Sequence, residues 1–341
     1  MYSKIIIFVL FFTSCVYGLR SYPSTQEPTL YLESSKTFES GNLLITDPMS
    51  FEPYFLFEFT TDGDNVFNYS MIAKNDNGTL NFIIPLDIGF LNSETLLILD
   101  GERGIYYSDT KGDIQGVWMD LATHNTPKMG CALEKLHIDL PNERIYVISR
   151  NAACDYNYQV GIFVYDLSGT HLQTLTNSGF NMTLGIAGDS KGNIWIPDVN
   201  EIFVYLYEEE KWQTFDPVID RIAYNGILIT DDDQIFVSVP SYEHDLVVQM
   251  DVYGSIKQHI QIVGNTTESG KSSGFPGSMV IIGDTLIVEV PYASKKEKPD
   301  DSDVIQFYNI DGGSLEYSFG GHSCKEKNIL CIPFNGLVVI P

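Results

Sequence analysis

Gly161-Ile-Phe-Val-Tyr-Asp-Leu-Ser-Gly-Thr-His-Leu-Gln-Thr-Leu175 decides the architecture of this chain. An apolar strand runs into a short turn that opens on Asp166 and closes on Gly169, and a second strand leaves it. Looser copies recur at Ile105–Val117, Leu246–Ile256 and Val304–Leu315, and another at Tyr54–Gly63. Their spacing of roughly 40 to 60 residues is that of propeller blades. The apolar runs between them are short, rich in Val, Ile, Tyr and Phe, and bounded by Gly, Asp, Asn and Pro, which is a strand signature. Helical periodicity is hard to find, and the 13% aromatic content fits sheet packing.

Counting blades by their second and third strands gives five complete units. Their first strands are expected at Leu80–Ile84, Leu136–Ile138, Leu184–Ile186, Ile227–Ile229 and Met279–Ile282. The two remaining pieces fit each other. Pro333-Phe-Asn-Gly-Leu-Val-Val-Ile-Pro341 reads as an innermost strand, A, and Ser40-Gly-Asn-Leu-Leu-Ile-Thr46 as the strand B beside it. Joined, they resemble Asn225–Val237 of the fifth blade. The expected fold is all-β: a six-bladed β-propeller of four-stranded antiparallel blades over residues 40–341, the first blade closed by the N- and C-terminal strands. Closure of this kind leaves only short, protected sheet edges.

The first 18 residues read as a signal peptide, with Lys4 ahead of the apolar run Ile5–Phe12. That run is shorter than the ~20 residues that span a bilayer, and no later segment is long and apolar enough to cross a membrane. A bacterial lipid anchor at Cys15 matches poorly, because Phe12 stands where Leu is usual. The expectation is a secreted, extracellular, monomeric protein starting near Leu19, with residues 19–39 an exposed lead-in. In an oxidising compartment the cysteines outside the signal favour disulfides. Of three connectivities, the pairs Cys131–Cys154 and Cys324–Cys331 are expected. Asn68, Asn77, Asn181 and Asn265 lie in Asn-x-Ser/Thr tripeptides and read as glycosylation acceptors.

With 20 basic and 45 acidic residues the formal net charge is −25. Such a surface repels phosphate backbones and anionic lipid heads, which argues against nucleic acid and simple membrane-surface binding. It favours cationic small molecules or basic proteins as partners. The alternative is an acidic surface that serves solubility.

Gly185-Ile-Ala-Gly-Asp-Ser-Lys-Gly-Asn-Ile-Trp-Ile196 resembles the strand–turn–strand of the NHL and SMP-30/gluconolactonase propellers. Asn193–Ile196, Val199–Tyr205 and Lys211–Phe215 resemble a strand pair and aromatic hairpin of the Yellow/royal-jelly group, whose members bind small amines or act as secreted proteins. The SMP-30 resemblance implies a divalent cation such as calcium at the channel entrance, held by Glu, Asn and Asp, and lactone hydrolysis. Tyr224-Asn-Gly226 and Phe334-Asn-Gly336 resemble the start that carries its Asn ligand. Leu184 stands where its Asp ligand would precede Gly-Ile-Ala, and no Glu-Gly-Pro start is found. Asn225 and Asn335 are therefore candidates for ligand or cation contact at the axis. Otherwise each Asn-Gly pair caps strand A and tolerates an unusual backbone angle.

Other chemistry is thin. His137-Ile-Asp139 places two polar groups on one face of a strand, as a base and its orienter or as a structural pair. Asp231-Asp-Asp233 reads as calcium contact or as a charged turn, and no Gly-x-Ser-x-Gly elbow, zinc-spaced Cys/His cluster or phosphate loop is present. The expected function is binding of a small molecule or protein through the channel-mouth loops without catalysis. The alternative is an SMP-30-like, cation-dependent lactonase.

Overall fold

The computed structural model describes residues 36–47, 55–74, 80–101, 103–120, 132–150, 160–181, 183–218, 221, 223–241, 245–263, 276–290, 304–320 and 336–341. All of them belong to the compact unit Glu33–Pro341. Among them every regular element is a strand.

Strands β1 (Leu43–Asp47), β2 (Phe55–Phe59) and β3 (Asn65–Ser70) form most of the first blade. A small hairpin, β4 (Ile72–Lys74) and β5 (Leu80–Phe82), follows. The second blade is β6 (Pro85–Asn92), β7 (Thr95–Asp100), β8 (Gly104–Ser108) and β9 (Ile114–Asp120). The third is β10 (Ala132–Asp139), β11 (Arg144–Arg150), β12 (Val160–Asp166) and β13 (His171–Thr176). The fourth is β14 (Ala187–Gly188), β15 (Ile194–Pro197), β16 (Ile202–Leu206) and β17 (Lys211–Phe215). The fifth is β18 (Ile227–Ile229), β19 (Ile235–Val239), β20 (Leu246–Met250) and β21 (Ile256–Gln261). The sixth is β22 (Met279–Ile282), β23 (Thr285–Val290), β24 (Val304–Asn309) and β25 (Leu315–Gly320). Strand β26 (Leu337–Val339) pairs with β1 and completes the first blade, with Leu43 opposite Val339 and Ile45 opposite Leu337. Each of the six blades is thus four antiparallel strands, and the ring closes through the two ends as expected.

Two details depart from the sequence expectation. The innermost strand of the second blade is Pro85–Asn92, not Leu80–Ile84, whose first residues pair with Ile72–Lys74 instead. Pro85 opens β6, a position where proline's missing N–H costs the ladder nothing. The lead-in of residues 19–39 is also docked at its described end. Phe38 is buried edge-on against Tyr69, and its N–H donates to the Thr110 carbonyl at 2.7 Å.

The repeated turn works by one device. In the third blade Asp166 Oδ1 accepts the Ser168 and Thr170 N–H groups at 2.9 and 2.8 Å. Gly169 sits at φ +88°, where a side chain would be strained. Asp109 and Asp251 accept in the same pattern in the second and fifth blades. The carboxylate holds the turn, and the strands on either side are aligned by it.

The blades stack face to face, so central strands are apolar on both sides. All four residues of β15 and all five of β19 are buried. Ile148, Ile162 and Val164 of the third blade pack with Ile186, Ile196 and Phe203 of the fourth. These interfaces explain why the strands read as continuous apolar runs and not as alternating ones. They also make a rigid frame for the inner strands.

Candidate axial site

Strands β26, β6, β10, β14, β18 and β22 are the A strands, and each contacts the next to form a closed inner ring. Their starts approach one another closely. The Leu136 N–H donates to Asp87 Oδ2 at 2.9 Å, joining the second and third blades. A Cβ on Gly336 would stand 2.8 Å from Asp87 Oδ1, and one on Gly226 would stand 2.1 Å from the Gly277 carbonyl oxygen. The alternative to ligand contact at the two Asn-Gly pairs is a strand cap at an unusual backbone angle. Neither glycine has a positive φ. Both are required because the neighbouring blade's backbone or carboxylate occupies the space of a side chain.

Of the predicted contacts, Asn225 lies at the start of β18, half-buried. Its Nδ2 donates to the Pro276 carbonyl at 2.8 Å, so the amide bridges the fifth and sixth blades. Its Oδ1 remains as an acceptor. Asn335 lies outside the described residues, as do Cys131, Cys154, Cys324, Cys331, Asn77 and Asn265. Asn68 and Asn181 are both exposed.

The group that sequence reasoning missed is Lys135 on β10. Its Nζ donates to Ser278 Oγ at 3.4 Å, immediately before β22. Strands β10 and β22 are three places apart in the ring of six, so this lysine lies across the axis. Close by are two buried carboxyl groups. Burial pushes the Asp87 carboxyl up, and the Lys135 ammonium together with the Leu136 and Ile88 N–H groups pulls it back. Glu289 is buried on the sixth blade, where Oε2 accepts the Ser278 N–H at 3.2 Å. Nothing local in the sequence links Lys135 with Ser278, 143 residues away.

A hard divalent cation does not fit this arrangement. An oxygen cage needs several carboxylate or carbonyl ligands converging on one point. Here no such convergence is seen, and the side chain that crosses the axis is a lysine, which has no lone pair to offer a metal while it carries its proton. Among the described residues no group of three or more His, Cys, Asp and Glu side chains converges.

The His137–Asp139 pair is structural. His137 Nε2 accepts the Gly188 N–H at 2.9 Å, joining the third blade to the fourth, and its ring stacks on Tyr146. The lone pair a base would use is therefore engaged, and the neutral ring carries its proton on Nδ1. Asp139 holds Asn142 through both oxygens. Burial pulls the His137 pKa down to about 4, against the opposing pull of Asp139. The unfolded chain takes up a proton near pH 6.5 that the folded chain refuses until about pH 4. The stability from His137 is thus fully present above pH 6.5 and is lost as pH falls through that window. Relative to His137→Gln, which keeps an acceptor and cannot titrate, the wild type should lose about 1–3 kcal/mol between pH 7.5 and pH 4.5. Urea denaturation at both pH values checks this. An equal loss in both proteins would show that His137 is already charged when folded.

The acidic triplet is a turn and a link between blades. Asp233 accepts the Ser190 N–H and hydroxyl at 2.7 and 2.6 Å, and Asp232 accepts from Thr230 and Gln234. Another buried carboxylate, Glu58, accepts from the Glu39 N–H, Asn42 and Tyr69, and so ties the first blade to the incoming chain.

The ring is shared with solved structures. A protein of unknown function from Bacteroides caccae is 11% identical, with a TM-score of 0.60 over 88% of this chain and 98% of that one. A chain of the nidogen/laminin complex is 11% identical, with a TM-score of 0.58 over 88% and 98%. The calcium-binding protein regucalcin from Agrobacterium tumefaciens, an SMP-30-like propeller, is 15% identical, with a TM-score of 0.51 over 88% and 92%. No family model and no curated protein matches the chain. At these identities the likeness establishes the six-bladed fold and nothing finer.

Proposed function

We propose that this chain is a secreted, non-catalytic binding propeller that takes a small polar ligand at the mouth of its central channel, cationic ligands being favoured. The observation that carries the reading is Asn225. Its amide is fixed by Pro276 at a junction of two blades, with Oδ1 left as an acceptor on a half-buried side chain. A fixed amide in a rigid ring orients a ligand and supplies no strong base. The net charge of −25 draws cations toward the molecule. Asn335 would be its counterpart on the first blade. The signal-like pattern of the first 18 residues and the exposure of Asn68 and Asn181 in their Asn-x-Ser/Thr tripeptides support the extracellular assignment, in which the pairs Cys131–Cys154 and Cys324–Cys331 would form.

The test is thermal unfolding of the purified chain with tyramine and with spermidine as probes. A saturable rise in Tm is expected with at least one of them. Asn225→Ala should weaken that binding about tenfold, equivalent to one hydrogen bond to a charged group. The variant's own Tm should fall by only about 2–4 °C, for the lost bond to Pro276. No response to either amine would overturn the reading. So would rapid calcium- or zinc-dependent hydrolysis of δ-gluconolactone, which would establish a lactonase instead.

A further inference from the structure

Thr183 is a polar side chain in a place where packing favours an apolar one. It is fully buried, and its hydroxyl finds no hydrogen-bond partner among the described residues. Its backbone is well used. Thr183 bridges Asp198 in antiparallel fashion, and beside it the Leu184 N–H donates to the Pro197 carbonyl at 3.3 Å. Those contacts ask nothing of the side chain. A buried hydroxyl without a partner is less stable than a methyl of the same shape, so for folding alone valine is the better residue here.

What threonine offers and valine does not is explained two residues earlier. Asn181-Met-Thr183 is an Asn-x-Thr tripeptide, a pattern that needs the hydroxyl of its third residue. Asn181 is exposed on the connection between β13 and β14. Yet the folded chain holds the tripeptide closed. The Asn181 N–H donates to Asp198 Oδ2 at 3.0 Å, and its side-chain amide donates to the Gly179 carbonyl at 3.2 Å. The Thr183 hydroxyl is shut off from solvent. Asn68-Tyr-Ser70 is the contrast: it lies on β3, the outermost strand of its blade, and Ser70 is only half-buried. We propose that Asn181 carries an N-linked glycan added before the fourth blade closes, and that the Thr183 hydroxyl serves this modification and not the fold. The inference rests on the extracellular part of the reading above and not on its ligand. The reaction is transfer of an oligosaccharide from a lipid pyrophosphate. Asn181 Nδ2 bonds to the anomeric carbon and gives up one proton to a base of the transferase. The bond from that carbon to the pyrophosphate oxygen breaks, and the lipid pyrophosphate leaves with its electrons. An enzyme that must engage both the amide and the hydroxyl is excluded once Thr183 has paired with Asp198.

Three measurements test this. The full chain is expressed in a eukaryotic secretory host, and the protein recovered from the medium is mapped by mass spectrometry. A glycan is expected at Asn181 in the wild type and in Thr183→Ser, and none at that position in Thr183→Val. Stability is then compared between Asn181→Gln and the double variant Asn181→Gln/Thr183→Val. Both lack the glycan, so they differ in the hydroxyl alone. The double variant should melt at the same temperature or up to about 3 °C higher. Last, wild-type chain made without glycans in a bacterial host is offered, folded, to detergent-solubilised oligosaccharyltransferase with its lipid-linked donor. Asn181 should stay unmodified, while a synthetic peptide of residues 176–188 should be glycosylated.

Any of three results would overturn the inference: secreted protein bare at Asn181, a double variant melting several degrees below Asn181→Gln, or folded chain glycosylated at Asn181 by the transferase. A lower melting temperature would show that the fold itself uses the hydroxyl. Secreted protein with a glycan at Asn68 and none at Asn181 would sink this inference and leave the extracellular assignment standing. A chain that never enters the secretory route would sink both. The ligand reading is judged separately, from tyramine, spermidine and Asn225.

Discussion

Deleting residues 333–341 is expected to abolish the closed ring and leave a protein that aggregates. Strand β26 is short, but it contributes at four points. It pairs with Leu43–Ile45 of β1, and those three residues are fully buried. On either side of the pairing, the Gly41 N–H donates to the Ile340 carbonyl and the Gly336 N–H donates to Thr46 Oγ1, both at 2.9 Å. Leu337 packs with Ile287, Ile305 and Phe307 of the sixth blade. Ile340 packs with Ile88, Leu96 and Ile98 of the second. Without the strand, β1 becomes an edge with unpaired backbone groups and a bare apolar face, the feature most prone to pairing with another chain. The loss is comparable with the whole stability of an ordinary domain, about 5–15 kcal/mol. Size-exclusion chromatography should show high-mass species, and any monomer should lack a cooperative thermal transition. A truncated monomer melting within a few degrees of the full chain would mean that the first blade stands on three strands.

Gly226→Ala should be the most damaging single methyl addition at the axis. The new Cβ would stand 2.1 Å from the Gly277 carbonyl oxygen and 2.9 Å from its carbon. Both atoms are backbone, so no side chain can swing away. The fifth and sixth blades would have to part by about 1 Å, and overpacking of this severity costs about 3–5 kcal/mol. Gly283→Ala is the control. Its φ of +56° strains any side chain, but nothing lies within 4 Å of the added carbon. That change should cost about 1 kcal/mol. Urea midpoints of the two variants should separate clearly. Equal midpoints would show that the blades yield at the axis, and the close approach of Gly226 would then carry no special weight.

The fold was legible because its signals are local and repeated. Asp166 and Gly169 announce a hairpin within a few residues, and the same device recurs in other blades. The pairing of β26 with β1 was also legible, because Asn225–Val237 supplied an internal template for it. The second blade's innermost strand was misplaced for an equally local reason. Leu80–Ile84 is apolar enough for a strand and does form one, but its partner is Ile72–Lys74.

The axial site was legible only in part. The Asn-Gly pair at 225–226 falls where two blades meet, and the reason for its glycine lies in the next blade and not in its own φ. Lys135 was invisible. Flanked by Glu134 and Leu136, it looks like one more charge on a strand. Its significance comes from Ser278 on the opposite side of the ring, and a sequence pattern does not encode what faces what across a circle. His137 was correctly singled out, and only the Gly188 N–H on its Nε2 shows that it is a structural acceptor.

The bond from Gly336 to Thr46 joins residues 290 positions apart. Every other strand pair in the ring is a hairpin between consecutive strands and can form as soon as its second arm exists. Strand β1 is the exception on the ribosome. At 5–20 residues per second, about 15 to 60 s pass between synthesis of β1 and synthesis of its inner partner. Throughout that interval five blades can assemble while the first presents a bare edge. For this molecule the hazard of birth is therefore a waiting time, set by the speed of translation and by whatever shields Leu43–Ile45 until the last strand arrives.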